Sequence, residues 1–394
     1  MGTSPPPSGH RNPPDWAPNL PRLGTPLGGS TFLLSGRSGS VHGVGRERTF
    51  ATTQAAAAAL HSRSCRGIVG ALPFDLDDPA ALWEPADLTV SAQPLAPAAP
   101  PQRRSVTVLA RLPEPAEHQR RVGEIVARIR AGQAQKVVLA RAVQLQVDEA
   151  IDPIALAAAF AGGNTANNAF AVALDAAGER YAGQWLVGAS PELLVRRRGR
   201  SVQCRPYAGT APRSPDPVVD EQRAAALRSS AKDLAEHSFV VEYLRRSLAP
   251  FCTTINAPTE PTLLSTGELW HLATPISATL ADPATTALDL ALALSPTPAL
   301  GGTPSAVASE MIAHYEGDRG FYGGAIGWCN SEGDGDWVVT IRCVGLAADL
   351  HHLTAWAGGG IIADSDPAAE VAETTAKFAT ALRALGADPE TVAP

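Results

Sequence analysis

Lysine is almost missing from this 394-residue chain: of 32 basic side chains only Lys136, Lys232 and Lys377 are lysine, and the rest are arginine. A guanidinium does not give up its proton near neutrality, so these three amines are the candidates for a basic residue that must do so, although an arginine-favouring codon bias also accounts for the scarcity. Cysteine is sparse as well. Cys65, Cys204, Cys252, Cys329 and Cys343 are odd in number and none forms a C-x-x-C spacing, which argues against a zinc or redox centre and for reduced thiols in the cytoplasm. An excess of positive charge is lacking: a net charge of −7 and a pI near 5.7 provide no basic field for a phosphate backbone, so no nucleic-acid partner is expected. No apolar run reaches the length of a membrane span, and no charged stretch leads into an apolar segment at the N-terminus. Neither membrane association nor export is expected.

What is present is apolar material, 45% of the residues, enough for a large core. Residues 1–30 are too rich in proline and glycine for regular structure and read as a disordered leader, leaving 31–390 as a single catalytic domain. Short apolar segments TFLLSG and GIVGALPF flank an alanine-rich helix over Thr53–His61, and Pro94–Pro101 reads as a loop. Helical spacing runs over Glu114–Gln135, and the valine- and leucine-rich KVVLARAVQLQV, opening at Lys136, reads as a strand. AFAVAL, ERYAGQWLVGAS and ELLVRRRGRSVQCRPYAGT read as hairpins, a long helix follows over about Pro217–Leu248, and GGAIGWC, DWVVTIRCVGL and HLTAWAGGGII form a second run of strands. A last helix begins after Asp366 with Pro367 at its first position. There is no internal repeat. Hairpins with helices between them, without repeated crossover helices, indicate an α+β fold with large antiparallel sheets.

Two carboxylate pairs stand at helical i,i+3 spacing, Asp233 with Glu236 and Glu370 with Glu373, so each pair faces one way. If the faces meet, the carboxylates form an oxygen-rich site suited to Mg²⁺. By spacing alone solvated helix surface is the favoured reading, since such pairs are common in helices, and Glu373 with Lys377 is an ordinary i,i+4 ion pair. Lys136 opens an apolar strand, where partial burial favours the neutral amine of a general base; a lysine head in water is the alternative. Glu192, between two apolar strands, can be kept protonated by burial as a general acid, or can be a turn residue. The glycine clusters GGTP and AGGGII can bring backbone N–H groups to a carboxylate or phosphate, and match neither a P-loop nor a dinucleotide fingerprint. His271 alone is more often a hydrogen-bonded core residue than a catalyst.

Read in order, the blocks GIVGALPFD, KVVLAR, GASPELL, PYAGTAPR, KDLAEH, LWHLAT, SPTPALGGTP, DRGFYGGAIGW, EGDGDWVVTIRC and AGGGIIADSDPAAEVAETTAK resemble the chorismate-utilising enzymes, the family of isochorismate, salicylate, anthranilate and aminodeoxychorismate synthases. The resemblance covers roughly Arg66 to Gly386 and is closest to the isochorismate synthases. It implies two large antiparallel sheets packed together with helices outside, and chorismate as the small-molecule substrate. By resemblance, Glu236 and Glu373 hold Mg²⁺, with Asp233 and Glu370 close by; the family has glutamate more often at Asp233. Tyr322, Arg342 and Lys377, with Thr210, His271 and the backbone of Gly358 and Gly359, match substrate-binding positions. Lys136 matches the members that activate water, where ammonia-using members carry glutamine, and Ala208 stands where covalent members carry lysine. The resemblance therefore implies water addition at ring C2 with Lys136 as base, and loss of the C4 hydroxyl with Glu192 as acid. One departure is Ser295 in place of the usual histidine, since a hydroxyl cannot carry imidazolium charge. A salicylate synthase, which goes on to release pyruvate, and a non-catalytic chorismate-binding protein remain open at this stage. So does the use of the product in siderophore, menaquinone or salicylate-derived biosynthesis. A monomer or weak homodimer is expected.

Overall fold

The computed structural model describes residues 31–96, 103–163, 168–265 and 269–392. The leader over 1–30 and most of the Pro94–Pro101 segment lie outside the described residues. The fold is α+β, built on a ten-stranded sheet, a nine-stranded sheet and a small three-stranded sheet. Pairing is antiparallel throughout the described strands.

The two large sheets face one another across an apolar layer that takes Phe32, Phe170 and Leu186 from the first and Val69, Trp83, Ile326 and Val338 from the second. Each outer face is covered by helices. Phe160 and Phe378, from Pro153–Gly163 and Pro367–Ala384, pack on the ten-stranded sheet, and Leu244 and Leu288 belong to the core against the nine-stranded one. Burying one face of each sheet against the other and the opposite face against helices is the layered solution available to two half-apolar sheets.

The strand Lys136–Val147 occupies its expected span. It is paired along its length with His352–Ile361, Gly360 opposite Val138 and Trp356 opposite Ala142. Its first six residues are all buried, and only its second half alternates. The helix Thr53–His61 and the last helix, Pro367–Ala384 with Asp366 as N-cap, also form as the sequence implies.

Several elements depart from the sequence reading, each for a local reason. The helix over Glu114–Gln135 is Pro115–Arg130, because Ala131 caps it and Gly132 turns into the left-handed region at φ 78°. The long helix over Pro217–Leu248 is two helices, Pro217–Ser229 and Ala231–Leu248. Ser230 leaves the helical region and its hydroxyl accepts from the Asp233 N–H, capping the second helix. In ERYAGQWLVGAS, Glu179–Tyr181 is a 3₁₀ turn and the strand begins at Trp185. DWVVTIRCVGL is not one strand: Gly335–Val339 lies in the nine-stranded sheet and Cys343–Leu346 in the ten-stranded sheet.

Candidate active site

The chain crosses between the large sheets at two places that bear on chemistry. One is Pro191–Glu192, between strands Trp185–Ser190 and Leu193–Arg198. The other is Thr340–Arg342, where Arg342 adopts φ 53°, a left-handed conformation that strains a residue with a Cβ and concentrates at functional positions. A cavity of about 90 Å³ opens beside both crossings, lined by Glu192 and Arg342 together with Thr210, Glu236, His271, Tyr322, Gly358, Gly360, Glu373 and Lys377. Residues as far apart in sequence as Val138 and Lys377 thus meet at one place.

Lys136 is fully buried, and its Nζ lies 3.0 Å from Glu236 Oε1. It stands behind Glu236 rather than among the lining residues. Glu236 is presented by the helix Ala231–Leu248, which the neighbouring His237 anchors. The His237 ring bridges the Ala208 carbonyl at 3.2 Å and the Thr274 hydroxyl at 2.7 Å. A carbonyl can only accept, so Nδ1 carries the proton and Nε2 accepts from Thr274. Burial lowers this histidine to about 4, in keeping with a neutral ring. Gly360 leaves room for this arrangement: a Cβ there would fall 2.2 Å from Glu236 Oε1 and 3.0 Å from Lys136 Cε, so a side chain would displace the carboxylate.

Glu192 is 2% exposed. Burial pushes it well above the ordinary carboxylate range, to about 8, against the opposing pull of the Lys136 charge and the Tyr207 backbone N–H. At neutral pH it is an uncharged acid. His271 is 2% exposed and is held neutral by burial and by the charges of Arg342 and Lys377. Burial also raises the Tyr322 phenol, keeping it a hydrogen-bond donor. Lys377 donates to the Gly358 carbonyl at 2.7 Å and pairs with Glu373 at 2.6 Å. Thr210 Oγ1 donates to the same Glu373 carboxylate at 3.0 Å.

Glu370, Gly359 and Asp233 lie outside the cavity lining. Glu370 is 1% exposed, pairs with Lys232 at 2.9 Å, and accepts from the Ser365 hydroxyl. Burial and the Glu373 charge raise its pKa, and its Oε2 is buried with no hydrogen-bond partner. Gly359 leaves room for that oxygen, since a Cβ would fall 2.7 Å from it. Asp233 packs against Gly209, which is in the left-handed region at φ 82°. Among the described residues no three His, Cys, Asp or Glu side chains stand close enough to hold a metal ion. Each of Glu236, Glu370 and Glu373 instead carries a lysine. The donor chemistry nonetheless suits a hard divalent cation: three carboxylates on two helices joined by the Lys232–Glu370 pair, one with an orphaned buried oxygen.

Ser295 is the C-cap of the helix Ala287–Leu294, its N–H donating to Ala291 O, and is not among the lining residues. Tyr207, Arg319 and Trp356, which do line the cavity, were not singled out from the sequence. Trp356 was within reach of strand periodicity, two and four residues before Gly358 and Gly360 on the same face.

Fold and cavity together define a β-sandwich enzyme whose acid, cations and carboxylates converge between two antiparallel sheets. Residues 77–386 match the model of the chorismate binding enzyme family, and the chain belongs to that family. It is 47% identical over 359 residues to the MenF protein of Mycobacterium tuberculosis, covering 91% of this chain and 96% of that one. It is 43% identical over 325 residues to the isochorismate synthase DhbC of Bacillus subtilis, covering 82% and 81%. The crystal structure of DhbC from Bacillus anthracis superposes with a TM-score of 0.84 at 35% identity, over 91% of this chain and 97% of that one.

Proposed function

We propose that this protein is an isochorismate synthase, an isomerase that converts chorismate to isochorismate. The observation that carries the reading is a buried carboxyl kept protonated, Glu192, at the cavity between the sheets, with a wholly buried lysine, Lys136, directly behind the cavity-lining Glu236. They form an acid and base pair suited to exchanging one hydroxyl for another. Similarity to relatives named as isochorismate synthases supports the same reading.

Lys136 acts as the base, taking a proton from water as its oxygen bonds to ring C2. The two ring double bonds shift by one position, the C4–O bond breaks, and Glu192 gives its proton to the departing hydroxyl, which leaves as water. Arg342 and Lys377 suit the substrate carboxylates, Arg342 through two parallel hydrogen bonds. Tyr322 and Thr210 supply hydroxyls and Gly358 and Gly360 admit the ring close to the backbone. Glu236 and Glu373 would hold Mg²⁺, with Glu370 and Asp233 behind them. When bound, the ion supplies positive charge that fixes a substrate carboxylate.

Incubation of the purified protein with chorismate, with and without Mg²⁺, followed by chromatography tests the proposal. Metal-dependent isochorismate without pyruvate is the expected result. Salicylate with pyruvate would reassign the protein to the salicylate-forming branch, and bound but unchanged chorismate would make it a binding protein.

A further inference from the structure

A second cavity, of about 510 Å³, lies beside the first. It is bounded by strands of the ten-stranded sheet and by the Asp318–Phe321 turn, with Arg180 and Asp318 paired at its exposed rim. It shares only two lining residues with the catalytic cavity, Arg319 and Trp356. Arg319 is immobilised: its guanidinium donates to the carbonyls of Val138 and Leu300 and pairs with Glu316. Trp356 is different in kind, because its indole is held by packing alone on either side. One face stacks on Tyr322, ring centroids 5.6 Å apart and planes 13° from parallel. Its far edge rests on Gly345, where a Cβ would fall 2.7 Å from Cη2. Gly345 lines the second cavity and not the first.

We infer that Trp356 is a specificity-determining residue: its indole is the partition that ends the substrate cavity and sets the length of ligand the cavity accepts. This rests on the proposed chorismate chemistry only for the identity of the substrate. A ring-sized ligand needs the small cavity, and the boundary with the larger space is made by the fixed Arg319 and by the Trp356 indole, of which only the indole is held by packing alone. The indole can take this position because the neighbouring strand offers glycine beneath it and Tyr322 offers a parallel ring beside it. A shorter side chain at 356 joins the two spaces. A longer one at 345 pushes the indole toward Tyr322 and the substrate.

The test uses two series of benzoates, with an alkoxy chain of increasing length at ring position 3 or 4, and direct binding by calorimetry alongside chorismate kinetics. In the wild-type protein, affinity should fall sharply beyond a short chain in both series. In Trp356→Ala at least one series should lose that limit, the longest member gaining about tenfold relative to the shortest, of the order expected for relieving one aromatic-sized clash. Trp356→Phe should keep most of the limit. Gly345→Ala, which touches the wall only from the second cavity, should raise the chorismate KM about tenfold with little change in kcat, and it serves if the alanine variant at 356 does not fold. An unchanged length limit in Trp356→Ala, or an unchanged KM and length limit in Gly345→Ala, overturns the inference while leaving the functional reading intact. A wild-type protein that neither binds nor converts chorismate overturns the functional reading instead, and the benzoate binding series still decides the wall.

Discussion

The Lys136 amine meets the Glu236 carboxylate at 3.0 Å with the lysine side chain wholly shielded from solvent and the glutamate side chain 13% exposed. A buried ion pair is costly to form and costlier to break on one side, because the survivor is left as an unpaired buried charge. The pair therefore ties the base of the proposed reaction to one of the proposed metal ligands, and substitutions at either should be felt at both.

Replacing Lys136 separates charge from proton transfer. Lys136→Ala should lower kcat for isochorismate formation by about 10²- to 10⁴-fold, the range for a general base. Lys136→Arg should restore the ion pair and thermal stability but not turnover, since guanidinium keeps its proton. Recovery of substantial turnover in the arginine variant would rule Lys136 out as the base.

Glu192 gives the reaction an alkaline limit. A required acid raised to about 8 is present at neutral pH, so activity should fall as pH rises through about 8. Glu192→Gln should be inactive at every pH. The same shift has a sign for stability: the folded value exceeds the ordinary 4.5, so its stabilisation is complete below 4.5 and is lost as pH rises through about 8. Melting temperatures at about pH 5 and about pH 9 should therefore show the glutamine variant gaining on wild type at the higher pH.

Chelation should abolish isochorismate formation and added Mg²⁺ should restore it. Glu236→Gln and Glu373→Gln should each raise the Mg²⁺ concentration required by about 10- to 100-fold, using the scale for perturbing a metal site. Calorimetric titration with Mg²⁺ checks the same loss without reference to turnover. Equal Mg²⁺ affinity in both variants and wild type would remove these carboxylates from the metal site.

Gly360→Ala places a methyl group 2.2 Å from Glu236 Oε1. The carboxylate must move by about an ångström, a displacement that costs on the order of 100-fold in rate when it misplaces a reacting constellation. Kinetics with chorismate against a melting curve separate this from unfolding. Wild-type kcat/KM would show that Glu236 does not need its present place.

Much of the fold was legible because local pattern and tertiary placement agree. The valines and leucines of Lys136–Val147 make a strand in any sheet that covers both faces of its first half, and Asp366–Pro367 starts a helix whatever lies above it. The misreadings share a cause. DWVVTIRCVGL is rich in strand-forming apolar residues throughout, and only the left-handed Arg342 reveals that it serves two sheets. The break at Ser230 was likewise hidden in a helical composition, because a serine caps a helix or lies within one according to its backbone angles.

The amino-acid sequence by itself determined the α+β class, the types of group available for chemistry, and, through ten ordered blocks, the family. Tertiary structure alone decided which of those groups meet. Spacing put Asp233 with Glu236 and Glu370 with Glu373 on helix faces, but only packing placed Glu236 and Glu373 at the cavity and left Asp233 and Glu370 behind it. It also set Lys136 against Glu236 and Lys232 against Glu370, moved Ser295 to a helix cap, and set Trp356 between two cavities. The physical reason is the same in each case: local sequence dictates backbone periodicity, whereas burial, and with it charge state and partner, depends on which distant surfaces are pressed together.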